Sequence, residues 1–222
     1  MGKHIVHRLA VGHANITGDD FGGIFAQAIG GDHRSRPLGI ADVVWNGCAW
    51  SVKTVQNSNL FTASALRLIS GRNSPDYSLG MSDPRRDIAA TGRAVLSIWN
   101  SRVNEALGEH DDLRVAVLVR NIGTREFVLF EDEAKRYIPD YYRWKTNDRD
   151  NLIGIDIATG TKRFTWQPHG SQFTIHRDQR RQRPASLEYR TTCPSLSFNT
   201  FYDWRDTMIH GSSFRHEMHL CI

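Results

Sequence analysis

Pro37-Leu-Gly-Ile-Ala-Asp-Val-Val-Trp-Asn-Gly-Cys-Ala-Trp-Ser-Val-Lys-Thr-Val-Gln56 is the stretch that decides how this chain folds. Two runs rich in Val, Ile and Trp flank Asn46-Gly47. Asn-Gly suits the positive φ required at both central positions of a type I′ turn, whose twist matches that of paired strands. The pattern predicts a β-hairpin with strands over 40–45 and 48–56. A two-residue loop sets Trp45 opposite Cys48, Val44 opposite Ala49, Val43 opposite Trp50 and Asp42 opposite Ser51. Strand side chains alternate between faces, so Ser51 and Lys53 share one. Lys53 then lies diagonal to Asp42. Opposed side chains sit about 5 Å apart and diagonal ones about 7–8 Å, within reach of a lysine. Asp42, Ser51 and Lys53 are therefore expected to converge on one patch of an otherwise apolar hairpin.

Working outward, residues 19–30 read as a short helix ending at a Gly pair, followed by a polar loop over 31–37. Residues 57–86 are rich in Ser, Asn, Gly and Pro and read as a loop with a short helix over 62–68. Val95, Trp99, Val103, Ala106 and Leu107 recur at helical spacing, which predicts a long amphipathic helix over 87–109. Apolar strands are expected over 112–120 and 126–130, and shorter ones near 153–157, 162–166 and 171–176. Helix, hairpin, helix, strand, strand is an α/β pattern. The expected organisation is one domain over 1–222, with a core at about 19–130 and a β-rich part at about 137–222.

Composition narrows the class of protein. The 222 residues are 40% hydrophobic, enough for a sizeable interior. Twenty-eight Lys and Arg against 24 Asp and Glu give a net charge of +4, compatible with a nucleic-acid partner without requiring one. Cys48, Cys193 and Cys221 form no spaced pair or framework. With no apolar run for a leader or a membrane span, the expectation is a cytoplasmic protein that does not engage membranes. No phosphate-binding Gly loop, dinucleotide fingerprint or Gly-x-Ser-x-Gly elbow is present.

The hairpin patch has the residue types that phosphodiester hydrolysis needs. A carboxylate holds Mg²⁺, a hard cation that favours oxygen ligands. The ion polarises the phosphate and acidifies the attacking water. A neighbouring Lys orients that water and offsets developing charge. The plainer alternative is a solvated Asp–Lys pair across an edge hairpin. One carboxylate holds Mg²⁺ poorly, so a second acid is expected nearby.

These residues resemble the core of the PD-(D/E)xK nuclease superfamily: an Asp opening one strand, then acid-x-Lys on the next. Ala41 stands in place of the eponymous Pro, and Ser51 in place of the acid. Ser-x-Lys resembles the NgoMIV branch of type II restriction endonucleases, in which an Arg-x-x-Glu motif on a following helix supplies the missing acid. Arg102-Val-Asn-Glu105 fits that motif, with segment 57–86 as an insertion. The resemblance covers residues 19 to 120 roughly. It implies a restriction-endonuclease-like fold, a mixed central β-sheet flanked by helices with a β-rich C-terminal part. It implies Mg²⁺ as cofactor and site-specific cleavage of double-stranded DNA. The catalytic residues it points to are Asp42, Ser51, Lys53 and Glu105, with Asp42 and Glu105 as metal ligands. Paired cuts on a two-fold site make a homodimer the expectation. Asp19 and Asp20 are further acids, linked to the metal in many such nucleases or else capping their helix. A non-catalytic DNA-binding protein, or a repair or junction nuclease, on the same fold is the competing reading.

DNA contacts are expected from the basic run His176-Arg-Asp-Gln-Arg-Arg-Gln-Arg-Pro184, through Arg177, Arg180, Arg181 and Arg183. Arg34 and Arg36 precede the catalytic strand, and Gln172 and His169 lie in a predicted turn region. His210, His216, His219 and Cys221 are ligand types that zinc uses, but their spacing matches no standard finger.

Overall fold

Asn46 and Gly47 both adopt positive φ, 46° and 78°, and close the hairpin as the sequence requires. The structure is a computed structural model; it describes residues 1–34, 39–58, 60, 65–178 and 218–221, of which 65–70, 178 and 218–221 are described as backbone alone. In chain order its helices and strands are α1 (Gly2–Ala10), α2 (Gly18–Ile29), β1 (Asp32–His33), β2 (Val43–Trp45), β3 (Cys48–Gln56), β4 (Ala65–Arg72), α3 (Pro75–Leu79) and α4 (Ile88–Glu109). They continue as β5 (Asp112–Asn121), β6 (Glu126–Glu133), β7 (Tyr142–Thr146), β8 (Leu152–Asp156), β9 (Lys162–Gln167), β10 (Gln172–Asp178) and β11 (Met218–Cys221).

The helix ends follow local chemistry. Thr17 and Asp20 form a reciprocal capping box at the start of α2, and Gly30 in the left-handed region ends it. Asp87 accepts the Ala90 N–H at 2.8 Å and starts α4. Among the described residues no helix is long and apolar enough to cross a membrane.

The architecture is mixed α/β with two sheets. The central sheet has the order β1-β2-β3-β5-β6-β11, and its one parallel pair is β3 with β5. A parallel neighbour requires a crossover, and the residues between β3 and β5 supply it, carrying β4, α3 and α4. β5 is buried on both faces, hence its unbroken run Val115-Ala-Val-Leu-Val119. Its odd-numbered residues, with Ala49 of β3, join the cluster around Val95, Trp99 and Val103 of α4. Ala116 and Leu118, with Trp50 and Val52, face Phe21, Ile24 and Phe25 of α2. Helices thus cover both faces of the sheet around β3.

The second sheet has the order β4-β10-β9-β8-β7 and lies on the α4 side. Phe164, Trp166, Phe173 and Ile175 place one of its faces in the same core as α4. Two expectations are corrected here. Residues 65–72 form strand β4 rather than a helix, with 62–64 outside the described residues. A short apolar run is ambiguous between helix and strand; pairing with the distant β10 decides it. The loop expected over 31–37 contains β1, which pairs with β2. The expected division of the chain is also crossed. β4, from the first part, completes the second sheet, and β11, from the last part, edges the central one.

Candidate active site

The β2–β3 ladder runs Trp45↔Cys48, Val44↔Ala49 and Val43↔Trp50, as the turn predicts, and then stops. Asp42 does not continue it opposite Ser51. Its N–H donates to the Trp50 carbonyl at 2.8 Å, one residue out of register, and its carbonyl accepts the Arg34 N–H at 2.9 Å. Ile40 and Ala41, buried against the α4 cluster, hold the approach to this point. The main chain of Asp42 is therefore fixed on both sides.

Where β2 ends, the edge of β3 would expose an unpaired N–H. The Asp42 carboxylate takes it: Val52 N–H donates to Oδ2 at 2.7 Å. Lys53 Nζ donates to the same oxygen at 3.2 Å and to the Val52 carbonyl at 3.1 Å. Ser51 Oγ donates to it at 3.4 Å. Three donors converge on one oxygen. Oδ1 has no hydrogen-bond partner among the described residues. The side chains of Lys53 and Asp42 are 26% and 22% exposed, so solvent reaches the pair. Ser51 differs. At 1% exposure and turned onto Asp42, it does not reach a substrate, and the catalytic role expected for it becomes one of positioning the carboxylate.

Strand alternation puts Ser51 and Lys53 on the α4 side of the sheet. Glu105, exposed near the end of α4, borders this region: a methyl group on Gly39 would lie 3.9 Å from Glu105 Oε2. Gly39 opens the short segment that leads to Asp42. Arg102 does not orient Glu105 through a hydrogen bond in this structure. Its Nη1 donates to Asn73 Oδ1 at 2.9 Å and its Nη2 to the Arg72 carbonyl. Burial lowers its pKa, and the charge of Glu105 partly offsets that. Asn73, fully buried, also donates to the Val95 carbonyl at 3.0 Å and accepts from Trp166 Nε1 at 2.7 Å. Arg102 and Asn73 thus lock α4 to the second sheet.

Asp20 is committed elsewhere. Its Oδ2 accepts from Thr17 N–H at 3.0 Å and Thr17 Oγ1 at 2.7 Å, and Arg8 approaches Oδ1 at 3.4 Å. The Thr17 hydroxyl bond, foremost, holds this carboxyl below its ordinary range. Asp19 is exposed, 3.8 Å from His33 Nε2. α2 packs on the face opposite Ser51 and Lys53, so these two acids serve the helix end.

Of the residues expected to meet DNA, Arg34 has its guanidinium 3.9 Å from Glu109 Oε2. Gln172 opens β10 half-buried between Gln167 and Arg72, and His169 is exposed in the preceding turn. Arg177 is a correction. It is 6% exposed, pairs with Asp132 of β6, and donates to the Glu133 carbonyl at 3.1 Å. It joins the two sheets and offers no surface contact. Arg36, Arg180, Arg181 and Arg183 lie outside the described residues, as do His210 and His216, while His219 and Cys221 are described only as backbone of β11.

The donor that the sequence could not reveal is the Val52 amide, because a backbone N–H has no side-chain signature. Among the described residues no group of three or more His, Cys, Asp and Glu is placed to hold a metal. Mg²⁺ is commonly held by one or two carboxylates, keeping several waters. Asp42 Oδ1, with Glu105 on the adjoining helix, fits that sparse donor set. No protein-family model matches the chain, and neither the curated proteins nor the solved structures contain a significant match.

Proposed function

We propose that this chain is a magnesium-dependent type II restriction endonuclease. Its substrate is double-stranded DNA, its reaction the hydrolysis of phosphodiester bonds at a specific sequence, and its working form a homodimer. The observation that carries the proposal is the convergence of Ser51, Val52 N–H and Lys53 on Asp42 Oδ2. A mixed central sheet with helices on both faces, and neighbouring strands bearing Asp42 and Lys53, suits a restriction-endonuclease-like fold.

A divalent cation bound here supplies Lewis-acid polarisation of the phosphate and lowers the pKa of the attacking water. Asp42 and Glu105 are the residues that would hold it. Lys53, whose ammonium carries three donors, orients the water and balances the negative charge that builds on the phosphoryl oxygens. The Val52 amide and Ser51 hold the Asp42 carboxylate in one orientation, so no reorganisation is needed when substrate arrives.

One observation favours a competing reading, a non-catalytic DNA-binding protein: Asp42 and Lys53 already compensate each other's charge. Incubation of the full chain with plasmid and Mg²⁺ separates the possibilities. Discrete fragments that disappear in Lys53→Ala and Asp42→Asn support the restriction enzyme. Cutting confined to branched or damaged DNA indicates a repair or junction nuclease, and binding without cutting indicates the non-catalytic protein.

A further inference from the structure

Two-metal phosphodiesterases place their ions about 3.5–4 Å apart, one beside the attacking and one beside the leaving oxygen. A carboxylate that bridges such a pair gives one oxygen to each ion. Asp42 is not set up to do so. Its Oδ2 accepts from Val52 N–H at 2.7 Å, Lys53 Nζ at 3.2 Å and Ser51 Oγ at 3.4 Å. A carboxylate oxygen has about two lone-pair sites, so three donors leave no room for a cation there. The donor set is also hard to displace. Val52 N–H belongs to the strand itself, and Ser51 is 1% exposed. Lys53 places a positive charge on that side, and like charges at this separation repel. Oδ1 has no such partner among the described residues.

We propose, building on the nuclease reading, that Asp42 ligates its cation through Oδ1 alone and that the site takes one divalent ion per chain. Ser51 and the Val52 amide are positioning groups in this scheme: they turn Oδ1 outward by occupying Oδ2. Metal ligands are commonly held by such outer partners, whose loss costs about 10–100-fold in metal affinity.

The test is a calorimetric and electron paramagnetic resonance titration of the full chain with Mn²⁺ alone, run beside the plasmid cleavage assay. The expected result is one Mn²⁺ per chain that is lost in Asp42→Asn, with the spectrum of an isolated ion. Ser51→Ala, checked for an intact melting transition, should bind that ion about 10-fold more weakly. Two Asp42-dependent ions, or a spin-coupled pair, together with normal Mg²⁺-dependent cleavage would overturn the single-ion scheme and leave the nuclease reading standing. Unchanged Mn²⁺ affinity in Ser51→Ala would overturn the positioning role. Absence of both Asp42-dependent binding and cleavage would remove the inference and the nuclease reading together.

Discussion

Asp42 and Val52 are joined by a 2.7 Å hydrogen bond from the strand amide to the carboxylate, at the point where the β2–β3 ladder ends. The bond ties the candidate site to the sheet itself, so changes at Asp42 have separable effects on fold and on chemistry.

Asp42→Asn keeps an acceptor for the Val52 amide and removes the charge. Asp42→Ala removes both and leaves that amide unpaired, which costs about 1–3 kcal/mol. Both variants should lose Mg²⁺-dependent cleavage, and only the alanine variant should show a clearly lower denaturation midpoint. Equal midpoints would mean that the Val52 bond contributes little.

Lys53→Ala should abolish cleavage, a loss of at least about 100-fold by analogy with the removal of a charge-stabilising donor. DNA affinity should stay within a few-fold. The pair is partly solvated, so stability should fall by no more than about 1 kcal/mol. Quantitative cleavage rates beside a gel-shift titration check this, and near-normal cleavage would remove Lys53 from the mechanism.

Glu105 is exposed on α4, so Glu105→Gln should leave the melting transition unchanged while lowering cleavage and metal affinity. Moving the acid to the hairpin should fail: Ser51 is buried, and a glutamate there would bury a second carboxylate beside Asp42. Ser51→Glu is expected to be destabilised and inactive. A folded, active Ser51→Glu protein would show that the pocket opens more than its packing indicates.

Arg177→Ala should destabilise the fold by about 3 kcal/mol, the lower end for a broken buried pair, because Asp132 keeps some access to solvent. The salt dependence of DNA binding should not change. Replacing Arg180 and Arg181 tests the rest of the basic run. There the slope of log affinity against log salt should fall by about one for each phosphate that a removed arginine had neutralised. A changed slope in Arg177→Ala would place that residue at the DNA after all.

Asp20 sets an acid limit. Its folded pKa is depressed, first by the Thr17 hydroxyl bond, so its contribution is fully present above the ordinary carboxylate range. That contribution is lost as pH falls through the depressed folded value. Melting curves of wild type and Asp20→Asn should differ at neutral pH and converge in acid. A constant difference would assign the effect to something other than ionisation.

Short-range physics made the hairpin legible in the sequence. Asn46-Gly47 has few conformations compatible with paired strands, and period-two alternation then places Ser51 and Lys53 on one face. α2 and α4 were readable for the same reason, since caps and apolar spacing are local. What needed the tertiary structure was every partner distant in the chain. Residues 65–72 are a strand because β10 pairs with them. Arg177 is an internal clamp rather than a surface arginine because Asp132 lies across from it. Asp20 and Glu105 are both plausible acids in sequence; only the packing of α2 and α4 on opposite faces of the sheet separates them. The role of Ser51 was decided at the end of β2. There the ladder stops one residue early, and the carboxylate of Asp42 fills the place of a missing strand carbonyl.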